Sequence, residues 1–324
     1  MRGLLAGVLS LLGGCGWPPF PGGANQCGKS WTLKATEFTD LKPLNAIFAT
    51  DTSVYAVGDG GQIVVLQDNK PALRCVLTNG DFLTSIWVSG EQVFLTGAKG
   101  VYIAQKEDLC NAPTLALSPI FSPKGSKCND VAVAPQGSIV AACDEAIAYR
   151  PRDGVFSEYT EPYTVNISVA LSDKDAFIGT TNLSVYRSDL NFSSWTQMNG
   201  APDLLRDSWY NGKGIVYHVG INGTFSYVAT YTGAWIHKKN TLPPQIQSGD
   251  IKSIWGARGD ETLYLAGKLA SSEGFVCEGK EGDMNCPILG KEKELTGVYG
   301  NQKNVYLVGR AIGNNTGFIQ CHQL

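Results

Sequence analysis

The 324-residue sequence lacks several of the patterns on which common functions depend. It has no run of lysine or arginine, and 26 basic against 29 acidic residues leave a net charge of −3, so the basic footprint of a nucleic-acid-binding protein is absent. Its early apolar run, Leu4 to Leu12, is too short to cross a bilayer. No later segment has convincing helical periodicity. The sequence therefore favours an all-β protein with no nucleic-acid partner.

Patterns that support catalysis are also scarce. Only three histidines are present, His218, His237 and His322, and no Ser-His-Asp arrangement can be argued around them. His218 interrupts an apolar column, so we expect it in the core rather than in a catalytic site. No Cys-x-x-Cys spacing indicates zinc, the acidic turns do not complete a calcium loop, and carboxylates paired for glycoside hydrolysis are hard to place. We expect no catalytic residue, no metal site and no cofactor.

The first 27 residues differ in character from the rest. Residues 1–14 join Arg2 to a short apolar core, as a secretory signal peptide does. The signal ends in Leu-Gly-Gly before Cys15, which resembles a bacterial lipobox and implies cleavage there and lipidation, including palmitate, of Cys15. The resemblance also favours the outer membrane, because Gly16 is not aspartate. A plain signal peptide is the alternative. Residues 15–27 are rich in proline and glycine and predict a tether.

Residues 28–324 contain an internal repeat. Each unit carries short apolar strands separated by turns rich in glycine, asparagine and aspartate. The shared apolar anchors are Ile47, Ile86, Val131, Val169, Trp209, Ile254 and Val298. Their spacing averages about 42 residues, the period of a four-stranded propeller blade. Seven units therefore predict a seven-bladed β-propeller in a single domain.

A glycine ends the second strand in six of the seven units. These glycines are Gly58, Gly97, Gly179, Gly220, Gly267 and Gly309, and Cys143 takes the place in the remaining unit. The first of them begins a Gly-Asp-Gly-Gly motif, which could cradle a phosphate. No helix is expected after the motif, so the context of a phosphate loop is missing. We expect the glycines to supply a positive φ at a strand turn.

The ends of the chain predict how the ring closes. The last unit stops after its third strand, and residues 29–38 look like the missing fourth strand. We expect this segment, which includes Trp31, to join the last blade beside Phe318 and so remove an open sheet edge.

The cysteine count is consistent with an oxidising compartment. Nine are present, and eight remain when Cys15 is reserved for lipid, an even number that disulfides require. The blade arrangement pairs the cysteines that it brings together, with the last pair assigned by elimination and free buried thiols as its alternative. The predicted pairs are Cys128 with Cys143, Cys277 with Cys286, Cys27 with Cys321, and Cys75 with Cys110.

Two features bear on binding. An aromatic column runs through the inner strands at Phe48, Trp87, Tyr210, Trp255 and Tyr299. Packing between blades is the favoured interpretation, ahead of a stacking platform for a sugar or peptide. The connections opposite the strand 1–2 turns are long and variable, so we expect partner binding on that face, around units five to seven. The predicted partner contacts are Trp255, Arg258, Arg310 and Asn314.

The repeats resemble those of bacterial secreted propellers of the BNR or Asp-box type, which include the photosystem II assembly-factor propellers. The segments that carry the resemblance begin at Asn45 and Thr84, and worn Asp-box turns occur at 187–195, 229–235 and 27–31. The resemblance covers residues 28–324 and implies an architecture without implying an activity.

The function that we predict is a cell-envelope lipoprotein that acts as a non-enzymatic scaffold for a protein or glycan, within a larger assembly. The protein would be exported and anchored to the outer membrane, on its periplasmic side or at the cell surface. An enzyme at the channel mouth, such as a polysaccharide lyase or a lactonase, is the first alternative, and converging carboxylates or histidines would distinguish it. A purely structural envelope component is the second.

Overall fold

The computed structural model describes residue 27 and residues 40–67, 72–123, 127–182, 184–198, 200, 204–230 and 232–324. The predicted signal peptide, Cys15, most of the tether and the predicted closing strand at 29–38 lie outside the described residues. No helix in the part of the chain that the structure describes is long and apolar enough to cross a membrane.

The described chain is built from strands and a few short turns. The strands are β1 (Leu44–Ala49), β2 (Ser53–Gly58), β3 (Gln62–Gln67), β4 (Leu73–Leu77), β5 (Leu83–Ser89), β6 (Gln92–Gly97), β7 (Gly100–Gln105), β8 (Thr114–Leu115), β9 (Cys128–Val133), β10 (Ile139–Arg150), β11 (Ser157–Leu171), β12 (Asp175–Thr180), β13 (Val185–Asp189), β14 (Thr196–Met198), β15 (Leu205–Tyr210), β16 (Ile215–Gly220), β17 (Phe225–Ala229), β18 (Trp235–His237), β19 (Asp250–Gly256), β20 (Leu263–Lys268), β21 (Gly274–Lys280), β22 (Asp283–Asn285), β23 (Ile288–Gly290), β24 (Lys293–Gly300), β25 (Asn304–Ala311) and β26 (Thr316–Gln323). Single 3-10 turns occupy Asp59–Gly61, Lys106–Asp108, Ile221–Gly223 and Lys239–Thr241.

These strands form antiparallel meanders, as the repeat predicted. The described residues form six hydrogen-bonded sheets, made of β1–β4 with β8, β5–β7, β9–β14, β15–β18, β19–β23 and β24–β26. Within each sheet the chain order is also the spatial order, apart from β8, which pairs in parallel with β4, and β23, which pairs with β21. Antiparallel meanders repeated along the chain are the pattern of a propeller.

The number of separate sheets is lower than the seven that the sequence predicted. The reason lies in β10 and β11, which are 12 and 15 residues long and join the third sheet into six strands. The first half of β10 pairs with β9 and its second half pairs with β11. The start of β11 pairs with β10 and its end pairs with β12.

Seven inner strands share one irregularity, a bulge of one residue near the end that pairs with the close of the second strand. In β1 the pairing moves from Leu44 opposite Gly58 to Ala46 opposite Val57, so Asn45 is the extra residue. The same shift occurs in β5, β9, the end of β11, β15, β19 and β24. A bulge inserts one residue into the two-residue alternation, so two adjacent side chains can face the same side.

The glycines that end the second strands are explained by close approach. A Cβ on Gly58 would lie 2.0 Å from the carbonyl oxygen of Pro43, and one on Gly309 would lie 2.0 Å from that of Glu294. The backbone at Gly58 has a φ of −170°, which is ordinary extended geometry. The predicted reason, a positive φ, is therefore wrong, because glycine is needed here for the space that a side chain would fill.

Four disulfides brace the fold, and their pairs are those that the sequence predicted. Cys128–Cys143 joins β9 to β10, and Cys277–Cys286 joins β21 to the segment between β22 and β23. Cys75–Cys110 joins β4 to the segment that follows β7. The same segment continues into β8, which pairs with β4. Cys27–Cys321 places the N-terminal cysteine beside β26.

The first and last sheets are neighbours. Ile47 and Val54 of the first sheet share a buried cluster with Tyr306 and Val308 of the last. The hydroxyl of Thr296 in β24 donates to the carbonyl oxygen of Leu44 in β1 at 2.6 Å. The predicted strand at 29–38, with Trp31, lies outside the described residues, so its part in this junction stays a prediction.

Candidate functional site

A cavity of about 250 Å³ lies where the inner strands converge. Its lining comes from all seven of the bulged strands. The lining includes residues 45–47, 84–87, 129–130, 167 and 169, 206–209, 252–254 and 296–299. The bulged end of each inner strand lies beside the turn between the second and third strands. We call the face that carries these turns the mouth face.

The floor of the cavity is an aromatic cluster. Phe48 stacks on Tyr299 with ring centroids 4.4 Å apart, and Trp209 and Trp255 lie 5.8 and 5.9 Å from Tyr299. Trp87 completes the cluster beside Phe48 at 5.1 Å. Because the rings pack on one another, they fill the space between the inner strands, in agreement with the packing interpretation.

One member of the predicted column was wrong. The strand register places Trp209 opposite Tyr217 in the way that Phe48 lies opposite Tyr55, so Trp209 replaces Tyr210 in the column. Ser208 consequently takes the anchor position that the sequence analysis gave to Trp209. The sequence analysis placed the anchor of this unit one residue too late, because the true anchor is a serine and the next residue is apolar.

Two half-buried carboxylates line the cavity, and sequence reasoning missed both. Asp130 accepts hydrogen bonds from the Ser85 hydroxyl at 2.6 Å and from the Val169 amide at 2.8 Å. Asp207 accepts from the Ser253 hydroxyl at 2.8 Å and from the Ile254 amide at 2.9 Å. Each aspartate therefore connects its own inner strand to a neighbour.

Burial changes the acidity of these two groups. Desolvation raises the pKa of Asp130 above its ordinary value. Desolvation, followed by repulsion from Asp130, raises the pKa of Asp207 to about 7. Converging carboxylates are what a channel-mouth enzyme would show. Here every carboxylate oxygen of the pair already accepts a hydrogen bond from the inner strands, so the arrangement serves to join strands.

The bulged residues form a second ring, nearer the mouth face. This latch ring consists of Asn45, Thr84, Asn129, Ile167, Arg206, Lys252 and Thr296. Four of its members donate to the backbone carbonyl of the residue that precedes the bulged residue in the next inner strand. The bonds are Asn45 to Leu83 at 2.8 Å, Thr84 to Cys128 at 2.6 Å, Asn129 to Asn166 at 2.7 Å and Thr296 to Leu44 at 2.6 Å.

In units five and six, ion pairs take the place of the hydrogen bond from the latch residue to the next strand. The Arg206 Nε donates to Asp250 at 3.2 Å, and the Lys252 Nζ lies 2.6 Å from the same carboxylate. In unit seven, Glu294 lies between Lys268 at 3.2 Å and Arg310 at 2.6 Å. Burial pushes the pKa of Glu294 upward, but the two cations hold it below its ordinary value.

Outside the latch ring, one rim residue stands two positions before the bulged residue of each inner strand. The rim ring consists of Pro43, Phe82, Lys127, Val165, Leu204, Asp250 and Glu294. Phe82, Val165 and Leu204 are 43%, 37% and 39% exposed. We call these three residues the apolar arc of the mouth face, although the exposed Lys127 lies between Phe82 and Val165 in the rim. The two acidic members, with their four cations, form a charged arc that continues from Leu204.

The structure does not bring the four predicted partner contacts together. Trp255 is buried in the aromatic floor, and Arg258 lies in the connection between β19 and β20. Arg310 pairs with Glu294 at the end of β25, and Asn314 lies in the turn before β26. Arg258 lies in a turn between a first and a second strand, whereas Arg310 and Asn314 lie at a turn between a second and a third strand. These two kinds of turn lie at opposite ends of the antiparallel strands, so only Arg310 and Asn314 are on the mouth face. Sequence reasoning selected these residues by unit, without the strand end that decides the face.

His218 belongs to a buried hydrogen-bond chain between units four and five. Its Nδ1 lies 2.7 Å from the Ser208 hydroxyl, which lies 2.7 Å from the Ser168 hydroxyl. The His218 Nε2 has no hydrogen-bond partner among the described residues. Desolvation lowers the pKa of His218 to about 3, so the ring is neutral at physiological pH. Among the described residues, no group of three or more histidine, cysteine, aspartate or glutamate side chains could hold a metal ion.

Comparison with known proteins identifies the fold alone. No known family profile matches the sequence, and no curated protein matches it. Among solved structures, the WD40 β-propeller domain of Doa1 is similar with a TM-score of 0.67 and 11% identity, covering 86% of this chain and 92% of that one. Ycf48 bound to a D1 peptide is similar with a TM-score of 0.66 and 11% identity, covering 89% and 94%. The chain has an all-β propeller fold.

Proposed function

We propose that this protein is a non-enzymatic scaffold that binds a segment of a partner protein across its mouth face. The observation that carries the proposal is the rim, where an exposed apolar arc continues into a charged arc around the mouth of a cavity. Apolar side chains grouped on the surface of a soluble domain commonly mark a protein interface. The charges beside them provide the orientation that apolar contacts alone do not.

A protein segment fits this rim better than a glycan does. The aromatic floor is the feature that could have favoured a sugar, and its rings are largely covered by one another. A solved propeller of similar fold, Ycf48, is described as bound to a D1 peptide, so a propeller of this kind can bind a peptide. At 11% identity the likeness shows the fold alone, and the partner of this chain is left open.

The proposal includes seven repeat units. Seven inner strands with the same bulge line one cavity, which supports seven units even though the sheets number six. On this view, the third sheet contains units three and four, and β10 and β11 each supply parts of two successive strands. Glu145, at a φ of +60° between the two halves of β10, provides the turn. Residues 29–38 would then complete the last unit, held there by Cys27–Cys321.

The location of the protein is a separate part of the proposal. A lipid on Cys15 would anchor the propeller to the outer membrane and place it in the cell envelope, within a larger assembly. The even set of disulfides supports an oxidising compartment. Labelling with radioactive palmitate tests the anchor, because Cys15→Ser should abolish the label. Persistence of the label in that variant would rule the anchor out.

The binding proposal is tested with variants of the apolar arc. Immobilised protein carrying both Phe82→Ser and Leu204→Ser should lose an envelope protein that the unaltered protein retains. Ile236→Ser is the matched control, because Ile236 is 39% exposed, as Leu204 is, but lies on the outer strand β18. Retention of the same protein by the double variant, or its equal loss from the control, would contradict binding at the mouth face.

A further inference from the structure

The latch ring departs from its own pattern in three consecutive units. Four members are short neutral side chains, asparagine or threonine, that bind the next strand. Ile167 has no side-chain donor, and Arg206 and Lys252 bind the Asp250 carboxylate instead of a carbonyl of the next strand. Arg206 and Lys252 also carry long cationic side chains into the cavity lining. Where one repeat lacks a structural residue that the other repeats share, we expect a functional requirement at that position.

The ion pairs at this departure hold more cations than anions. Arg206 and Lys252 share the single carboxylate of Asp250, so this ion-paired group holds two cations and one anion. Asp130 and Asp207 line the same cavity, but their oxygens accept hydrogen bonds from the inner strands and they are not part of these ion pairs. Lys268 and Arg310 share the single carboxylate of Glu294 in the same way. Both groups are partly buried, so their charges are less screened than they would be on an open surface.

Arg206 has unused hydrogen-bonding capacity. Within the described part of the chain, its Nε is the atom that binds Asp250, and its two terminal nitrogens have no partner there. A guanidinium group offers five N–H donors in a fork that matches the two oxygens of a carboxylate. The Lys252 ammonium, on the other side of Asp250, adds further donors at the same mouth.

An apolar residue stands directly beside these cations. Leu204, a member of the rim ring, is 39% exposed and precedes Arg206 of the latch ring by two residues. Its backbone φ is +51°, a conformation that costs energy for a residue other than glycine. Leucine at this position therefore presents an exposed side chain next to Arg206 at a conformational cost.

We infer that Arg206 and Lys252 form a carboxylate-binding subsite at the cavity mouth, and that the bound protein segment carries an acidic residue next to an apolar one. The acidic group would accept hydrogen bonds from both cations, while the apolar side chain covers Leu204. This inference rests on the proposed function and names the chemistry of the partner. A side-chain carboxylate and a C-terminal carboxylate provide the same contact, so both belong to the test.

The test uses a pair of peptides that differ in one charge. Acetyl-leucyl-glutamyl-leucinamide and its glutaminyl analogue are titrated into the protein while the indole N–H signals of Trp209 and Trp255 are followed by NMR. We expect the glutamyl peptide to bind at least about tenfold more tightly, as a charge-assisted pair requires. A third peptide, acetyl-leucyl-leucine with a free C-terminus, distinguishes a chain end from a side chain. Equal affinity for all three peptides, or no response to any, overturns the subsite.

The variants then assign the preference to residues. Arg206→Gln with Lys252→Gln should reduce the tenfold discrimination to about one, and Arg206→Lys with Lys252→Arg should restore part of it. Lys99→Gln is the matched control, because Lys99 is an exposed cation on the mouth face but lies in unit two. Discrimination that survives in the first variant contradicts the inference. Near-ultraviolet circular dichroism shows whether each variant is folded. If the variant with two glutamines does not fold, the variant with Arg206→Lys and Lys252→Arg still tests the inference.

Failure of the subsite and failure of the scaffold give different results. If the captured envelope protein depends on Phe82 and Leu204 but not on Arg206 and Lys252, the scaffold stands and the subsite is wrong. If the peptides discriminate by charge but no envelope protein depends on the apolar arc, the subsite stands and the scaffold is wrong.

Discussion

Single residues in the inner strands show where polarity replaces the apolar pattern. His218 occupies the place that Leu95, Leu265 and Leu307 hold in other units, because each lies opposite the anchor residue of its inner strand. The histidine is completely buried, and its unpartnered Nε2 carries a desolvation cost. A leucine there would remove that cost, and Ser208 would still have Ser168 as a partner.

We therefore predict that His218→Leu leaves the free energy of unfolding unchanged or raises it by about 1 kcal/mol. The measurement is guanidinium unfolding followed by tryptophan fluorescence. The reverse change, Leu265→His, is the control and should cost about 2 kcal/mol or more, because it buries a polar ring without the serine pair. A loss above about 2 kcal/mol in His218→Leu would show that the hydrogen-bond chain stabilises the fold.

The aspartate pair predicts a dependence of stability on pH. In the unfolded chain Asp207 ionises near its ordinary pKa of 3.8, but in the folded protein its pKa is about 7. The folded state therefore holds a proton that the unfolded state has released, and stability falls as the pH rises from about 4 to about 7. The fall amounts to about 1.4 kcal/mol for each unit by which the pKa is raised.

Asp130→Ser should make this fall smaller, because it removes the raised pKa of Asp130 itself as well as the charge that repels Asp207. Serine is the residue that units two, four and six carry at this place. The measurement is the free energy of unfolding at several pH values between 4 and 8, which gives its slope against pH. Hydrogen bonds lost in the variant lower the free energy equally at every pH, so they do not change this slope. Asp51→Ser, an exposed change in the turn after β1, should leave the slope as it is. An unchanged slope in Asp130→Ser would contradict repulsion between the two aspartates.

At the scale of elements, the end of each second strand is fixed by contact with the rim. The carbonyl oxygen of Glu294 occupies the space in which a side chain on Gly309 would stand. Gly313, four residues further along, has nothing within 4 Å of the corresponding point. Comparing these two glycines shows whether glycine is required because the rim backbone is close, or whether glycine is simply common in this region.

We predict that Gly309→Ala destabilises the protein by about 2 kcal/mol or more, because the rim must move to admit a methyl group. Gly313→Ala should be within about 0.5 kcal/mol of the unaltered protein, as most surface changes are. Thermal unfolding of the two variants measures the difference. Equal stability would mean that the rim is not in close contact with the second strand.

The strands were easier to predict from sequence than the side-chain directions. Apolar runs and turn residues identified the repeats, because burial of alternate residues leaves a pattern along a strand. The bulge was not visible, since it adds one residue without changing composition. Arg206 and Asp207 therefore both reach the cavity lining, although simple alternation would turn one of them away. The cavity, the latch ring and the carboxylate pair could not be found without this register.

At the scale of the whole molecule, the two ends of the chain are held together covalently. Cys27–Cys321 spans 294 residues, whereas Cys277–Cys286 spans 9. A cross-link reduces the entropy of the unfolded chain, and the effect grows with the length of the loop that it closes. The terminal disulfide should therefore contribute more to stability than the local one.

We predict that Cys27→Ser with Cys321→Ser lowers the free energy of unfolding by about 5 kcal/mol, against about 2.5 kcal/mol for Cys277→Ser with Cys286→Ser. Equilibrium unfolding in guanidinium compares the two double variants directly. A smaller loss from the terminal pair than from the local pair would indicate that the N-terminal segment does not hold the first and last sheets together.

The propeller fold was predicted from the repeat, because a period near forty residues with four strands leaves few other arrangements. The number of separate sheets was not, because hydrogen bonding continues through β10 and β11 across the boundary between two units. The proposed binding face was predicted from loop length, and the residues on the mouth face were identified only when each connection was assigned to one end of its strands.

Site-specific photo-crosslinking in intact cells tests the central claim, that the mouth face binds a protein, most directly. A photoreactive residue at position 204, on the rim, is compared with one at position 303, in the turn between β24 and β25 on the opposite face. We predict that position 204 gives one defined protein product, that Arg206→Gln reduces its yield, and that position 303 gives none. Equal products from the two faces, or only lipids and the sorting machinery from position 204, would contradict the claim.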